Sequence, residues 1–413
     1  MERQARKVGI GFITGRKSFR EVLTTYMKNW SGRILSDSKA VDLSLLVAYD
    51  LDYNNTRQSD YTNIDIELRE MLSDIHFIDR ASIQSESHFL ADRGIITAAQ
   101  AALFFEKGYA GKRNAILYTA AKQGIDALLF LDDDEYPLAV QKNDGIESWT
   151  GQQILSTHLK YIDGAHITNG HHCGYISPIP NILFNDVLTE DDFRVFVEAI
   201  SNDVINWTSI KSLMENGSIT YADSSVIASA AAVVPQEGRA KFITGSNLCL
   251  NLRKLTEVSP FYNPPSARGE DTFLSTCLAD KTVLRVPCYT FHDGFSVYTS
   301  MLRGVLPQKL KHITASSKHV AERFYRTCTG WARYKPLLLY ITRPGEFAEQ
   351  IAQTRRNLER TLPKLSEFFN NPKFMKIAAE FDKYAANVEP HFAAFEETRA
   401  IWQKLAAYLT ARN

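Results

Sequence analysis

The chain has too few cysteines, too little net charge and too short apolar runs for several classes of protein. Its 413 residues include five cysteines, none of them in a Cys-x-x-Cys pair. A disulfide framework and a structural zinc site are therefore not expected, and a reducing, cytoplasmic location is favoured. The 47 basic and 47 acidic residues cancel, so the basic footprint of a nucleic-acid-binding protein is missing. No apolar run approaches the length of a transmembrane helix.

Glycine-rich phosphate-binding fingerprints are missing as well. The turn after the first strand pattern, 7–14, does not have the glycine spacing of a dinucleotide site or a P-loop. The end of this strand, with Thr14 and Arg16, is still a natural place for a nucleotide, because open α/β sheets bind ligands at the carboxyl ends of their strands. A plain strand–helix turn is the alternative.

The stretch 111–137 combines a helix pattern, a buried-strand pattern and three consecutive carboxylates. Residues 112–123 have helical spacing, and 127–131 form an unbroken apolar run that predicts a strand buried on both faces. Aspartates 132–134 follow at the expected strand end, where Pro137 stops any continuation. Adjacent carboxylates repel one another unless a cation is present. We therefore expect a Mn²⁺ or Mg²⁺ site that takes a diphosphate, with a solvated acidic turn as the alternative.

Strand patterns alternate with helix patterns through most of the chain, which predicts an α/β fold with a mostly parallel sheet. The expected strands are 7–14, 43–49, 76–78, 127–131, 158–167, 242–252 and 283–287. The expected helices are 19–30, 88–105, 112–123, 189–202 and 273–278. Residues 169–174 are expected to form a polar loop. Its two histidines are expected either to belong to an ordinary loop or to contact the acceptor.

Two further groups of polar residues have chemically useful positions. Lys112 and Arg113 lie near a helix N-terminus, which favours anions. The pair Glu270 and Asp271 begins a later helix, where a structural role at the helix dipole and a general-base role for Asp271 are both open. His292 follows the last expected strand and could complete a metal shell as a neutral imidazole, although a structural histidine is the commoner case.

In this order, the motifs resemble those of GT-A glycosyltransferases, especially family 2. The resemblance covers roughly residues 7–295, and its most specific pieces are Arg113-Asn114, Phe130-Leu131-Asp132-Asp133-Asp134 and Gly269-Glu270-Asp271. It implies a GT-A, Rossmann-like, mostly parallel sheet flanked by helices. It also implies a nucleotide-sugar donor, with a UDP-sugar favoured, and a divalent metal ion, Mn²⁺ or Mg²⁺.

The resemblance also implies roles for single residues. Asp132 would face the ribose or base of the donor, and Asp52 would read the base. Asp271 would deprotonate the acceptor hydroxyl, with Glu270 beside it. As sets, the implied donor contacts are Thr14, Arg16, Asp52, Lys112, Arg113, Asn114, Asp132, Asp133 and Asn247, and the implied metal ligands are Asp132, Asp134 and His292.

Other readings of the same residues remain open. A base at Asp271 favours inversion at the anomeric carbon, but a retaining GT-A transferase is possible. A sugar-phosphate nucleotidyltransferase would need a glycine-rich basic loop after the first strand, and 11–17 match it poorly. Asp50-x-Asp52 resembles the start of an aspartate-nucleophile phosphatase, although Asn54 departs from that pattern. A non-catalytic assembly scaffold is the fourth possibility.

The character of the chain changes near residue 307. Residues 1–306 are expected to form the catalytic domain, with a donor half at about 1–137 and an acceptor half at about 138–306. Residues 307–413 carry apolar side chains at helical spacing and predict an all-helical appendage. These helices are a possible surface for homo-oligomers. The acceptor is expected to be a glycan, a lipid-linked precursor or a small molecule.

Overall fold

Strands and helices alternate along the first three quarters of the chain. The computed structural model describes residues 5–31, 41–52, 54–202 and 207–412. Its strands are β1 (Arg6–Thr14), β2 (Val41–Tyr49), β3 (Asp74–Ile78), β4 (Ala127–Asp132), β5 (Glu135–Tyr136), β6 (Leu138–Asn143), β7 (Ile146–Gly151), β8 (Ile167–Gly174), β9 (Ala232–Val233), β10 (Leu248–Asn251) and β11 (Val283–His292).

Helices flank these strands and make up most of the C-terminal region. They are α1 (Phe19–Ser31), α2 (Ser59–Thr62), α3 (Ile66–Glu70), α4 (Arg80–Asp92), α5 (Ala98–Phe104), α6 (Tyr109–Lys122), α7 (Ile154–Tyr161), α8 (Glu190–Ile200), α9 (Trp207–Glu215), α10 (Ser224–Ile227), α11 (Glu270–Ser275), α12 (Lys318–Thr342), α13 (Phe347–Phe368), α14 (Lys376–Ala386) and α15 (Val388–Thr410). No helix in these described segments is both long enough and apolar enough to cross a bilayer.

The main sheet has the strand order β3-β2-β1-β4-β10-β8-β11-β5, with β9 added beside β11. Strands β3, β2, β1 and β4 pair in parallel, as do β8 and β11, whereas β10 runs antiparallel to both of its neighbours. The predicted α/β class with a mostly parallel sheet is thus confirmed. In register, Thr14 pairs with Tyr49 and Ile13 with Asp132, so the residues that follow β1, β2 and β4 meet at one edge.

The long helix expected over 88–105 is two helices. Helix α4 begins earlier, at Arg80, and ends before Gly94, whose φ of 67° is a left-handed conformation that suits glycine. Helix α5 then starts from a capping box, in which Thr97 accepts a hydrogen bond from the Gln100 backbone N–H and Gln100 accepts one in return. These two local signals outweigh the continuous alanine-rich pattern.

The prediction of a strand over 158–167 is wrong, and so is the polar loop predicted after it. Residues Ile154–Tyr161 form helix α7, and the strand is Ile167–Gly174, which includes both histidines of the expected loop. A short apolar run is compatible with helix or strand, because its periodicity is too brief to decide. His158 belongs to α7 and is fully buried.

Two other strand boundaries differ from expectation. Of the strand expected over 242–252, the structure has only Leu248–Asn251. Strand β11 does not stop at Pro287 but continues to His292, with a register shift between Arg285 and Tyr289. This irregularity accommodates a proline that has no backbone N–H for the ladder. Likewise, β5 and β6 lie directly on either side of Pro137.

The C-terminal helices predicted from apolar spacing are present, and they pack into the rest of the molecule. Trp402 of α15 stacks on Phe104 of α5, with ring centroids 6.1 Å apart and planes within 2°. Phe395 of α15 packs on Tyr262 and Phe273. Pro344 begins a 3₁₀ turn before α13, a position where its missing N–H is tolerated.

Candidate functional site

A cleft opens at the carboxyl ends of β1 and β2. Its volume is about 120 Å³, and its lining includes Thr14, Arg16, Asp50, Lys112 and Asp133. The Lys112 ammonium lies 2.7 Å from Asp50 Oδ2; although burial raises the pKa of Asp50, this contact lowers it overall. Asp52 lies in the exposed loop beyond Asp50 and does not line the cleft. Thr14, Arg16 and Lys112, which were all expected to contact a donor, therefore line the same cleft.

The Asp133 carboxylate closes the floor of this cleft. Thr14 Oγ1 donates a hydrogen bond to Asp133 Oδ2 at 2.6 Å, and Arg16 Nε lies 3.1 Å from Oδ1. Burial and the neighbouring Asp134 charge raise the pKa of Asp133 to about 7. Both carboxylate oxygens of Asp133 thus contact residues at or just after the end of β1, and one of these contacts holds Arg16 at the cleft.

The Asp134 carboxylate pairs with two cationic groups. Arg16 Nη2 lies 2.6 Å from Asp134 Oδ2, and His292 Nε2 lies 3.3 Å from the same oxygen. Burial opposes ionisation of both partners, but their mutual attraction prevails: it lowers the pKa of Asp134 and raises that of His292 to about 9. His292 lies at the very end of β11, and the sheet brings it next to the triplet as predicted.

Arg113 joins the acidic triplet to the second carboxylate group. Its guanidinium lies over the Phe130 and Phe261 rings, at 5.1 and 5.4 Å from their centroids. Nε donates to Glu270 Oε1 at 3.3 Å, and Nη2 lies 3.5 Å from Asp132 Oδ1. The carboxylates of 132–134 and 270–271 therefore belong to one site, not to separate faces.

Asp271 occupies a position where a carboxylate is costly to ionise. Its Oδ2 accepts from the Gly245 N–H at 3.1 Å and its Oδ1 from the Thr272 N–H at 2.8 Å. Burial and the adjacent Glu270 still raise its pKa to about 7. A carboxyl group with this pKa is a suitable proton acceptor near neutral pH.

Two predicted donor contacts have structural roles instead. The Asn114 amide is almost fully buried, donates to the carbonyls of Phe104 and Phe261, and accepts from the Phe261 N–H. The Asn247 amide is also buried and is held by His158 Nε2 at 2.8 Å and the His171 carbonyl at 3.1 Å. Both amides are buried and bonded to other parts of the protein, so the structure gives each of them a role in the fold.

Sequence reasoning missed a second buried group beside the triplet. Glu135 Oε1 accepts from Ser246 Oγ at 2.5 Å and lies 3.2 Å from His172 Nε2. Its Oε2 is buried without a partner, and burial together with Asp132 raises the pKa of Glu135 to about 8. Glu135 pairs in register with His292 across β5 and β11. A fourth acid directly after three others was the signal available in the sequence.

The site offers oxygen and imidazole ligands for a hard divalent cation, but they are not gathered into a closed shell. In the described part of the chain, no three His, Cys, Asp or Glu side chains converge as a metal cluster. Asp134 and His292 do converge, and Glu135 presents an unpartnered buried oxygen nearby. A cation at this point would have to displace Arg16 from Asp134 and the proton from His292, because ligands must be deprotonated.

No family model matches the sequence, and no curated protein matches it either.

Proposed function

We propose that the chain is a glycosyltransferase of the GT-A type that moves a sugar from a nucleoside diphosphate, with UDP favoured, to an acceptor hydroxyl. The supporting observation is that Arg113 brings the strand-end aspartates and the Glu270–Asp271 pair into one site. The antiparallel strand β10 within a parallel sheet is compatible with this architecture. In this proposal the cations of the cleft bind the diphosphate and Asp271 meets the acceptor alcohol.

Cations at the cleft would bind the donor. Lys112 and Arg16 project from a helix start and from the turn after β1, and both line the 120 Å³ cleft. Each has a carboxylate partner in the structure, Asp50 and Asp134. A diphosphate would take the place of those carboxylates as the partner of each cation. A bound Mn²⁺ or Mg²⁺ would be held by Asp134 and His292, with Asp132 alongside, and would supply Lewis-acid neutralisation of the leaving diphosphate.

Asp271 would act as the base. The acceptor oxygen forms the new bond to the anomeric carbon while the bond from that carbon to the diphosphate breaks. The hydroxyl proton passes to Asp271, and the electron pair of the broken bond leaves with the diphosphate. Burial and the neighbouring Glu270 raise the pKa of Asp271, whereas the charge of Arg113, which pairs with Glu270, opposes this shift without cancelling it. Attack opposite the leaving group inverts the anomeric carbon; a retaining course remains the alternative.

Thermal unfolding with UDP or GDP, each with and without Mn²⁺ or Mg²⁺, tests the proposal. A ligand that binds the folded state raises the midpoint by mass action, so we expect a shift that needs metal and nucleotide together. Release of nucleotide from a panel of sugar donors then identifies the sugar. No shift with any nucleotide, together with turnover of a phosphomonoester, would assign the site instead to a phosphatase that uses Asp50 and Asp52.

A further inference from the structure

Helix α12 of the C-terminal region lies along the open side of the site. Arg323 reaches the end of β11 across Gly294: a side-chain carbon at Gly294 would lie 2.9 Å from His292 Cε1 and 3.1 Å from Arg323 Nη2. Glycine at this position leaves the space that the guanidinium uses. The guanidinium also lies over the Phe295 ring, 4.8 Å from its centroid. Arg323 follows Asp134 by 189 positions in the sequence, yet it lies beside the pair that Asp134 forms with His292.

The same face of α12 continues to the second carboxylate group. A side-chain carbon added at Gly330 would lie 3.7 Å from the Arg268 side chain, and one added at Gly269 would lie 3.0 Å from the Tyr334 ring. Arg268 and Gly269 directly precede Glu270 and Asp271 in the sequence. Positions 323, 326, 330 and 334 recur at helical spacing. One helix face therefore extends from His292 to the beginning of α11.

This face is rich in positive charge that the protein does not neutralise. Arg268, Arg323 and Arg326 form no ion pair with a carboxylate in the segments that the structure describes. Arg323 Nε is buried and has no hydrogen-bond acceptor. Burial lowers the pKa of Arg323; the charge of Asp134 opposes this shift, and the smaller effects of Arg16, Arg268 and Arg326 add to it. A phosphate that meets these side chains would receive charge-assisted hydrogen bonds without displacing a carboxylate from them.

We propose that Arg268, Arg323 and Arg326 bind a phosphate group carried by the acceptor. The inference rests on the proposed function and adds the class of acceptor: a phosphorylated alcohol, whose hydroxyl faces Asp271 while its phosphate lies against α12. Guanidinium groups present planar, bidentate donors that match phosphate oxygens. The C-terminal region is then part of the acceptor site. A soluble phosphate ester and a phospholipid head group offer the same chemistry.

Calorimetric titration of the full chain with glycerol 3-phosphate and with glycerol, in the absence of any donor, tests this site. We expect the phosphate ester to bind and glycerol not to bind. The double variant Arg268→Gln/Arg326→Gln should weaken binding at least on the order of tenfold, since each lost charge-assisted hydrogen bond is worth about one decade or more. Both side chains are exposed, so folding should be preserved, which the circular dichroism spectrum checks.

Two control variants locate the bound phosphate. Arg356→Gln removes an exposed arginine of α13 that bonds to Gln353, and it should leave binding unchanged. Lys112→Gln removes the donor-cleft cation and should also leave it unchanged. Equal binding by the double variant and the wild type, or loss of binding in Lys112→Gln alone, would overturn the proposal.

Vesicles distinguish the two sources of phosphate. Sedimentation with phosphatidylcholine vesicles that contain phosphatidic acid, if lost in the double variant, would indicate a lipid-linked acceptor. Binding of glycerol 3-phosphate without sedimentation would indicate a soluble one, and absence of both would refute the site. Since no nucleotide is present, these results do not depend on the transferase assignment: a failed test with UDP and metal would remove that assignment alone.

Discussion

The three neighbouring aspartates of the triplet have three different partners. Asp132 faces Arg113, Asp133 is held by Thr14 and Arg16, and Asp134 pairs with Arg16 and His292. Buried like charges are tolerated only when each has a compensating group. The compensating groups come from β1, α6 and β11, so the triplet ties together three parts of the chain. The differences in partner also predict differences in mutant behaviour.

Asp134→Asn should abolish the metal-dependent stabilisation by nucleotide. The substitution removes the anion that Arg16 and His292 share, and a neutral amide oxygen is a poorer ligand for a hard cation. The measurement is the thermal midpoint with UDP and Mn²⁺ together. Asp144→Asn, in the exposed β6–β7 turn at a φ of 50° that asparagine adopts readily, is the matched control. Unchanged metal–nucleotide affinity in Asp134→Asn would remove this residue from the site.

The pH dependence of transfer should report Asp271. Its pKa is raised to about 7, and a base works only when deprotonated, so kcat/KM should rise with pH and level off above about 7. Asp271→Asn should lower turnover by about 10²- to 10⁴-fold, as loss of a general base does, and remove the acidic limb of the profile. Donor binding should persist. A mutant that keeps the wild-type profile would assign the base to another group.

The sequence supports prediction of charged residues at strand ends better than prediction of buried amides. That the triplet, Arg113, Glu270 and Asp271 lie close together was predictable, because charged residues that directly follow a buried strand or begin a helix meet at one edge of the sheet; their roles stay predictions. The structural roles of Asn114 and Asn247 were not predictable, because an amide that satisfies backbone groups looks in the sequence like an amide that binds a ligand. Their partners are far away in the chain, 147 residues in the Asn114–Phe261 contact, so no local pattern reveals them.

At the scale of elements, the long apolar strands were predictable and the mixed segments were not. Strands β1, β2 and β4 are buried on both faces and read as continuous apolar runs. In the region 154–174, the strand carries two histidines, one asparagine and one threonine, and its polar groups bond to the neighbouring helix: His158 Nδ1 of α7 lies 2.7 Å from Thr168 Oγ1. Such tertiary compensation overrides local pattern.

The cap between α4 and α5 allows an element-scale test. Thr97→Ala removes the hydroxyl that accepts from the Gln100 N–H at 3.1 Å, and loss of such a cap costs about 1 kcal/mol. Urea unfolding should show this decrease in the free energy of unfolding. Thr97→Ser keeps the acceptor and should stay within a few tenths of a kcal/mol of the wild type. Equal losses in the two variants would mean that the methyl group, not the cap, matters.

At the scale of the whole molecule, the sheet and the C-terminal helices share their apolar interiors. One buried cluster contains Phe130 and Leu128 of β4 together with Trp402 and Leu405 of α15. Another joins Phe196 of α8 to residues of α12, α13 and α14. Shared interiors of this kind couple the stability of the parts, and they hold α12 in place against the site.

Trp402→Ala should therefore destabilise the entire chain and not the C-terminal helices alone. The side chain is fully buried on Phe104, and truncation of a buried tryptophan to alanine costs about 3–5 kcal/mol. Because α15 and α5 pack on the same sheet cluster, denaturant unfolding followed by far-ultraviolet circular dichroism and by hydrogen exchange in β1 and β4 should shift together. Trp402→Phe, which keeps an aromatic ring against Phe104, should lose much less. Strand protection that stays at the wild-type level in Trp402→Ala would show that the helices unfold independently of the sheet.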